Sequence, residues 1–379
     1  MQPYHRAPLF AYRLLLHDRT RTMASIGGVV FALVLMMMQV GFRNSLMDSG
    51  LQLIRILDAD IVVMSANKYP FLRYQRMTRQ RIYQALSIDG VASAKPVWMD
   101  LMRWTNTEAR TLHPIRLIGI DPNRLTLDIP AINGQAYRLL KPGTALLDSR
   151  SRDTLGTIVE GPAVVNRKQL DIVGTFPLGT DFEVEGTLVV SESTFFDLRR
   201  RDQRMLELAL LEVADGFDPR EVAAEIQQAL PPDVIALSKS DLIARDRSYW
   251  ESSTPVSLIL MVGLTLGFLS GIVICYQILY TEVLDHLAEF ATLKAMGYGN
   301  RFIQAVVLAE AITLSVIGYV PAIFLGSALV FLLGVVSGLP ATLSWGDAVI
   351  ILVFSVAMCT GASFFALRKV RVVDPAELF

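Results

Sequence analysis

The sequence has little with which to build an enzyme. Its 379 residues include two cysteines and four histidines, and of these only His113 falls in the long polar middle of the chain. A zinc site or a cysteine–histidine nucleophile is therefore hard to assemble there. Serines such as Ser149 and Ser151 lack a G-x-S-x-G setting, which leaves a solvated turn as their simplest reading. No G-x-x-x-x-G-K-[ST] occurs, so the backbone cradle for nucleotide phosphates is missing. Neither a catalytic residue nor a metal ligand is assigned, and no cofactor is expected in this chain. The net charge of -1 provides no field for nucleic acid.

Charge itself is scarce. Only 19% of residues are charged, against about 25% in an ordinary soluble domain, and 52% are hydrophobic. The deficit is concentrated in a few runs. About 20 apolar residues at 1.5 Å rise cross the hydrocarbon of a bilayer. Met23–Phe42 fits with Gln39 as its one strongly polar side chain, and Val256–Tyr280 carries no charge. A third run lies within Phe302–Leu339 and a fourth at Ala348–Leu367, so the sequence predicts four spanning helices over 23–46, 255–280, 302–336 and 347–368. Cys275 and Cys359 sit inside two of these runs and read as small apolar packing residues, not a disulfide framework. The first run exceeds a signal-peptide core of about 7–15 residues and no A-x-A follows, which favours an uncleaved signal anchor.

Orientation follows from short flanks. Arg6, Arg13, Arg19 and Arg21 precede the first run, Lys294 and Arg301 lie between the second and third, and Arg368, Lys369 and Arg371 follow the fourth. The connection at Ser337–Gly346 has neither lysine nor arginine. Both termini, including the tail 369–379, are thus expected in the cytoplasm and the stretch 47–254 outside it. Leu9, Tyr12, Arg13 and Leu16 carry helical spacing among basic residues, so 1–22 reads as an amphipathic interfacial helix or a plain basic flank.

The stretch 47–254 is far too long for a connection and must fold. Short β-rich runs at Asp60–Met64, Ile115–Ile120, Leu170–Val173 and Thr187–Val190 alternate with helical patterns at Arg79–Leu86 and Pro219–Leu230, the latter opened by Asp218. An α+β domain is expected, with two subdomains meeting near Pro130–Pro142. Asp181, Glu183 and Glu185 alternate at strand spacing and read as one exposed face. Arg199, Arg200, Arg201 and Arg204 are punctuated by acids, which makes them a solvated helix face or a docking patch for an acidic partner.

Within the spans, Glu310 is the clearest charge, with a coupling or a packing role. Gly263, Gly267 and Gly271 repeat every four residues, a stripe for close helix approach between two copies or within one. Between the second and third runs, 281–301, Leu284, Leu287, Phe290, Ala291 and Lys294 recur at helical spacing. Glu282, Asp285 and Glu289 make the first half of this short helix negative, and Lys294 and Gly297 close it. Such a helix could lodge in a groove of another protein, or it could simply connect two spans.

The stretch Glu289-Phe-Ala-Thr-Leu-Lys-Ala-Met-Gly297 resembles the cytoplasmic loop of FtsX/MacB-type ABC permeases, with Ala291 where that pattern usually has glycine. The tail Val370-Arg-Val-Val-Asp-Pro-Ala-Glu-Leu378 is similar to the ending of that family, and Gly271–Tyr280, continuing through Asp285-His286-Leu287 to Tyr298, resembles its DevC branch. The resemblance covers the whole layout of one span, a large domain and three further spans.

It implies a multi-pass inner-membrane protein of a bacterium, with four transmembrane helices and a large periplasmic α+β domain between spans 1 and 2. It further implies a homodimeric permease of a tripartite efflux exporter, transmitting motion rather than forming a wide pore. The implied partners are a DevA- or MacB-like cytoplasmic ATPase that binds ATP and magnesium, a DevB-like periplasmic adaptor and a TolC-like outer-membrane duct. The ATPase contact would fall on Glu282, Asp285, Leu287, Glu289, Phe290, Lys294 and Gly297. FtsX-like signalling to a cell-wall hydrolase and lipoprotein extraction are the alternatives within the same architecture.

Overall fold

The structure is a computed structural model and describes residues 19–124, 126–157, 160–181, 183–252, 255–296, 298–339 and 341–370. Of the amphipathic segment expected at 1–22, residues 1–18 lie outside the described residues, as do residues 371–379 of the tail. The chain opens with helix α1 (Arg19–Arg55), strands β1 (Ile61–Ser65) and β2 (Met77–Thr78), and helix α2 (Gln80–Ala85). Next come β3 (Val91–Asn106), β4 (Thr111–Ile120), α3 (Pro130–Asn133), β5 (Thr144–Asp148), β6 (Gly161–Val165), β7 (Lys168–Phe176) and β8 (Thr187–Ser191). They are followed by α4 (Glu192–Leu198), β9 (Met205–Leu206), β10 (Leu208–Val213), α5 (Pro219–Ala229), β11 (Val234–Ser238) and α6 (Lys239–Ser252). Helices α7 (Pro255–Asp285), α8 (Leu287–Ala295), α9 (Asn300–Ser337) and α10 (Trp345–Val370) complete the fold.

Among the described residues four helices are long and apolar enough to cross a membrane, within Thr22–Arg55, Leu258–Asp285, Asn300–Ser337 and Trp345–Ala366. The chain is a multi-pass membrane protein with a large sheet domain between its first two spans. Contacts divide it into two units, a helical one formed from Met1–Asn44, Leu258–Val336 and Ala341–Phe379, and a sheet unit formed from Ser45–Ser257 and Ser337–Pro340. In the helical unit Val29, Leu33 and Met36 of α1 pack with Cys275 and Leu279 of α7, Ala311 and Leu314 of α9, and Met358 and Ala362 of α10. Small residues on α9 and α10 let the helices approach closely, which is how helices associate where lipid is as apolar as leucine.

The sheet unit is built on nine strands in the order β11-β1-β10-β3-β4-β8-β5-β7-β6, and β6 pairs again with β3. That last pairing, Trp104 with Val165 and Thr105 with Val164, closes β3, β4, β8, β5, β7 and β6 into a barrel. Strand β3 is 16 residues long and serves both halves: Val91–Val97 pairs with β10, and Trp98–Asn106 with β4. The two subdomains therefore meet along β3, not near residues 130–142 as the turn residues there imply. Proline and glycine at Pro130–Pro142 mark a connection that holds the short helix α3 and a 3-10 turn at Ala136–Leu140, with Ile132 and Leu139 buried against the sheet.

Alternation along the strands feeds two cores. Trp98, Met102, Ile115, Leu117, Leu147 and Val190 fill one, which extends to Val222 and Ile226 of α5. Val97, Met99, Ile118, Val189 and Leu210 face the other, which is covered by Leu51, Ile54 and Leu57 from the end of α1 and Leu242 of α6. Burying each such side chain stabilises the fold by about 1.5–3 kcal/mol. Helix α5 starts where its sequence predicts, with the Asp218 carboxylate accepting the Arg220 N–H at 2.7 Å and Pro219 in the first turn.

Candidate functional site

Helix α8 lies in the short segment between spans α7 and α9. The chain turns at His286, whose φ of -95° and ψ of 17° interrupt the helix, yet its N–H still reaches Glu282 O at 3.1 Å. Phe290 N donates to His286 O at 3.0 Å and restarts the ladder. Phe290 is 2% exposed and packs with Val283, Leu293, Phe302, Ile303 and Val307. It is the anchor of α8, and its ring is covered within this chain. Ala291 and Leu293 share that buried face, whereas Glu289 and Thr292 are exposed, as is Asp285 at the end of α7. Tyr298 closes the turn, its N–H bonding to Leu293 O at 3.1 Å and its ring 4.7 Å from Phe302.

The residues singled out in the sequence thus separate. Asp285 and Glu289 present carboxylates outward, with Glu289 3.2 Å from the His286 ring. Lys294 is half-buried near the end of α8, while Glu282 is buried in α7. Gly297 lies outside the described residues, and the surroundings of the Leu287 side chain lie outside them too. Sequence reasoning missed Met296, 63% exposed beside the exposed face, because it was read only as part of a motif. It also missed the partner of Glu310, which is 1% exposed and whose carboxyl is hydrogen-bonded to that of Glu282. Nothing in spacing links positions on two helices.

The glycine stripe of α7 faces its own chain. A Cβ on Gly263 would come 3.0 Å from the Gln39 side chain, one on Gly267 would lie 3.6 Å from Met36, and one on Gly271 would collide with the Met358 sulfur. Cys275 and Cys359 are both buried and free, with their sulfurs 3.6 Å apart.

In the sheet unit the charges are organised inward. Asp181 is buried and holds Arg116 at 2.6 Å while accepting the N–H groups of Glu183 and Val184, and Glu185 pairs with His113 at 2.9 Å. The expected exposed face of alternating carboxylates is therefore wrong: these residues form a loop that caps Arg116 and His113. Arg199–Arg204 is likewise not a helix face, since α4 ends at Leu198. Arg199 pairs with Asp100, and Arg201 bridges Asp100 at 2.7 Å and Glu207 at 2.9 Å. Lys68 is fully buried and donates to Arg73 O at 2.7 Å. Burial pushes its ammonium down to about 8, against the opposing pull of Glu207. Burial also raises the carboxyls of Glu207 and Asp246. Asp246 of α6 accepts the Phe71 N–H at 2.7 Å and the Trp250 Nε1–H at 3.2 Å, which fastens the loop after β1 to that helix.

Residues 259–375 match the family model described as FtsX-like permease C-terminal. The match takes in three of the four membrane-crossing helices, α7, α9 and α10, and leaves out α1. Helices α8 and α9 lie inside the FtsX-like match together with nearly all of α7 and α10, so the segment bearing Asp285 and Glu289 is part of it. Among solved structures the chain is similar to the periplasmic region of MacB from Actinobacillus actinomycetemcomitans, at 10% identity and a TM-score of 0.37 over 52% of this chain and 95% of that one. It is also similar to the extracellular domain of the noncanonic ABC-type transporter YknZ from Gram-positive bacteria, at 9% identity and a TM-score of 0.33 over 48% and 99% of the two chains. No curated protein matches it.

Proposed function

We propose that this chain is the permease subunit of an ATP-driven tripartite exporter in a bacterial inner membrane. The observation that carries the reading is the FtsX-like permease match at 259–375, with the short helix α8 between two spans anchored by Phe290 and presenting Glu289 outward, close to the exposed Asp285 that ends α7. A separate cytoplasmic ABC ATPase, which binds ATP and magnesium, pushes on α8. Because Phe290 ties α8 to the base of α9, a push on the exposed face moves the spans and not a loose loop. Both termini are cytoplasmic, as the flanking arginines and lysines favour, and the sheet unit is periplasmic. Two copies of the chain work together, and the sheet unit meets an adaptor that leads to an outer-membrane duct. The motif at 271–298 favours the DevC type of exporter within this class.

The test is purification of the tagged chain from native membranes in mild detergent, with its companions identified by mass spectrometry. An ABC ATPase together with a periplasmic adaptor is the expected result. A cell-wall hydrolase or a lipoprotein carrier in place of the adaptor would move the chain to signalling or to lipoprotein extraction, and absence of any ATPase would refute the reading. At the site, Glu289→Lys should abolish stimulation of the ATPase while the chain inserts and folds normally.

A further inference from the structure

The outer wall of the barrel carries a groove that the exporter reading does not use. Its volume is about 670 Å³, and it is lined by Leu101 and Arg103 of β3, Leu112 and Pro114 of β4, Asn166 in the β6–β7 turn, and Arg199 after α4. Leu101 and Leu112 are 42% and 60% exposed on one face of the β3–β4 pair, at opposite ends of the groove's stretch of ladder. Pairing of Leu101 with Arg116, Arg103 with Pro114, and Thr105 with Leu112 puts the apolar and basic side chains on one face.

The charges at this groove do not balance. Asp100 is taken by Arg199 and Arg201, Asp197 by Lys168, and Glu185 by His113. Arg103 of the lining, and Arg167 and Arg200 as the chain neighbours of the lining residues Asn166 and Arg199, are exposed and form no ion pair with a described residue. Arg167 is held at a φ of +65° and Asn166 at +50°, a pair of left-handed residues for which glycine is the usual second choice. Asn166 is locked there by its own bonds, Asn166 N to Arg103 O at 2.9 Å and Arg103 N to Asn166 Oδ1 at 3.2 Å.

We propose that this groove binds an extended acidic segment of a partner protein, with its carboxylates on Arg103, Arg167 and Arg200 and its aliphatic side chains on Leu101 and Leu112. Three unpaired guanidinium groups on three separate segments suit a row of carboxylates along a peptide, whereas a single anionic headgroup could meet only one or two of them. Away from β4, the stretch Trp98–Arg103 of β3 has no strand beside it among the described residues, but the N–H groups of Met99, Leu101 and Arg103 are already taken by the Glu207, Asp100 and Asn166 side chains, so recognition goes through side chains. The binding chemistry does not depend on how the bundle is driven.

The experiment uses the full chain in detergent and a fluorescent peptide of alternating glutamate and valine, read by anisotropy. The expected result is saturable binding that weakens with salt. It should weaken about tenfold or more in the triple variant Arg103→Glu, Arg167→Glu, Arg200→Glu, on the scale of three exposed ion pairs. Leu112→Ser should weaken it without changing the salt dependence. The triple variant alters only exposed, unpaired residues, so an unchanged melting temperature certifies its fold. The proposal is overturned by absence of binding, by equal binding of a lysine–valine peptide, or by equal affinity in the triple variant. Displacement of the peptide by phosphatidylglycerol vesicles would assign the surface to lipid instead and overturn it as well.

Discussion

Replacing Lys68 by methionine should flatten the response of the sheet unit to alkaline pH. The ammonium is fully buried, with one hydrogen bond to Arg73 O and the ring of Phe71 5.4 Å away. Its fall from 10.5 to about 8 corresponds, at about 1.36 kcal/mol per pH unit, to roughly 3 kcal/mol. The sign follows from proton counts. Below pH 8 both folded and unfolded chains carry the proton, and the folded one bears the whole penalty. Between pH 8 and 10.5 the unfolded chain holds more protons, so stability rises with pH, and above that window the penalty is gone. Wild type should therefore gain roughly 3 kcal/mol across the window from this one group, and Lys68→Met should gain nothing. Losing the bond to Arg73 O shifts the variant by about 1 kcal/mol at every pH, which leaves the difference in slope intact. Urea unfolding of the detergent-solubilised chain, followed by tryptophan fluorescence, reads this because Trp98, Trp104 and Trp250 lie in the sheet unit. All other titrating groups are common to both proteins and cancel. Parallel stability curves from pH 8 to 10.5 would refute the argument, because they would mean that Lys68 keeps its charge in the folded chain.

Phe290→Ala should unseat α8 at a cost of about 3–5 kcal/mol and expose the segment to limited proteolysis, whereas Glu289→Lys should leave the cleavage pattern as it is. Gly271→Leu drives a side chain into Met358 and Ala32 and should cost about 1–3 kcal/mol, seen as a lower melting temperature in detergent. Gly267→Ala meets only Met36, at 3.6 Å, and should be tolerated in the same assay. Asp246→Ala leaves the Phe71 N–H buried without an acceptor, a loss of about 1–3 kcal/mol that Trp250 fluorescence should report through early unfolding of the neighbouring loop.

The parts of this fold that were legible in the sequence are those whose signal is local. The spans are long uncharged runs, and α5 is announced by Asp218 and Pro219. Strands β4, β7 and β8 show their apolar alternation or runs within a few residues. Strand β3 does not, because Lys95 and Asp100 interrupt its pattern. Both are buried, Lys95 against Asp58 at 2.8 Å and Glu212, Asp100 against Arg199 and Arg201. A charge that is buried with its partner cannot be told from a solvated one until the partner is placed, and the partners here lie far along the chain. The same limit explains Asp181 and Arg199, and it explains why a short helix between the second and third spans was legible while its buried anchor, Phe290, was read with its outward face. That Asn166 and its neighbour Arg167 lie beside Arg103 depends on the β3–β6 pairing that closes the barrel, which no window of sequence contains.

The long strand β3 has a consequence for how such a domain changes over time. Val97 is the register partner of Leu208, so the chain leaves the four-stranded half for the barrel and returns from it at neighbouring points. Everything between them, from Trp98 to Glu207, is topologically a single insert with adjacent ends. An insert of that kind can be lengthened, trimmed or exchanged for another without altering the ladder of β11, β1, β10 and the first half of β3, with only the short β2 losing its partner β9. The barrel is in this sense a removable head on a four-stranded neck, and chains sharing the neck are free to differ in what the head recognises.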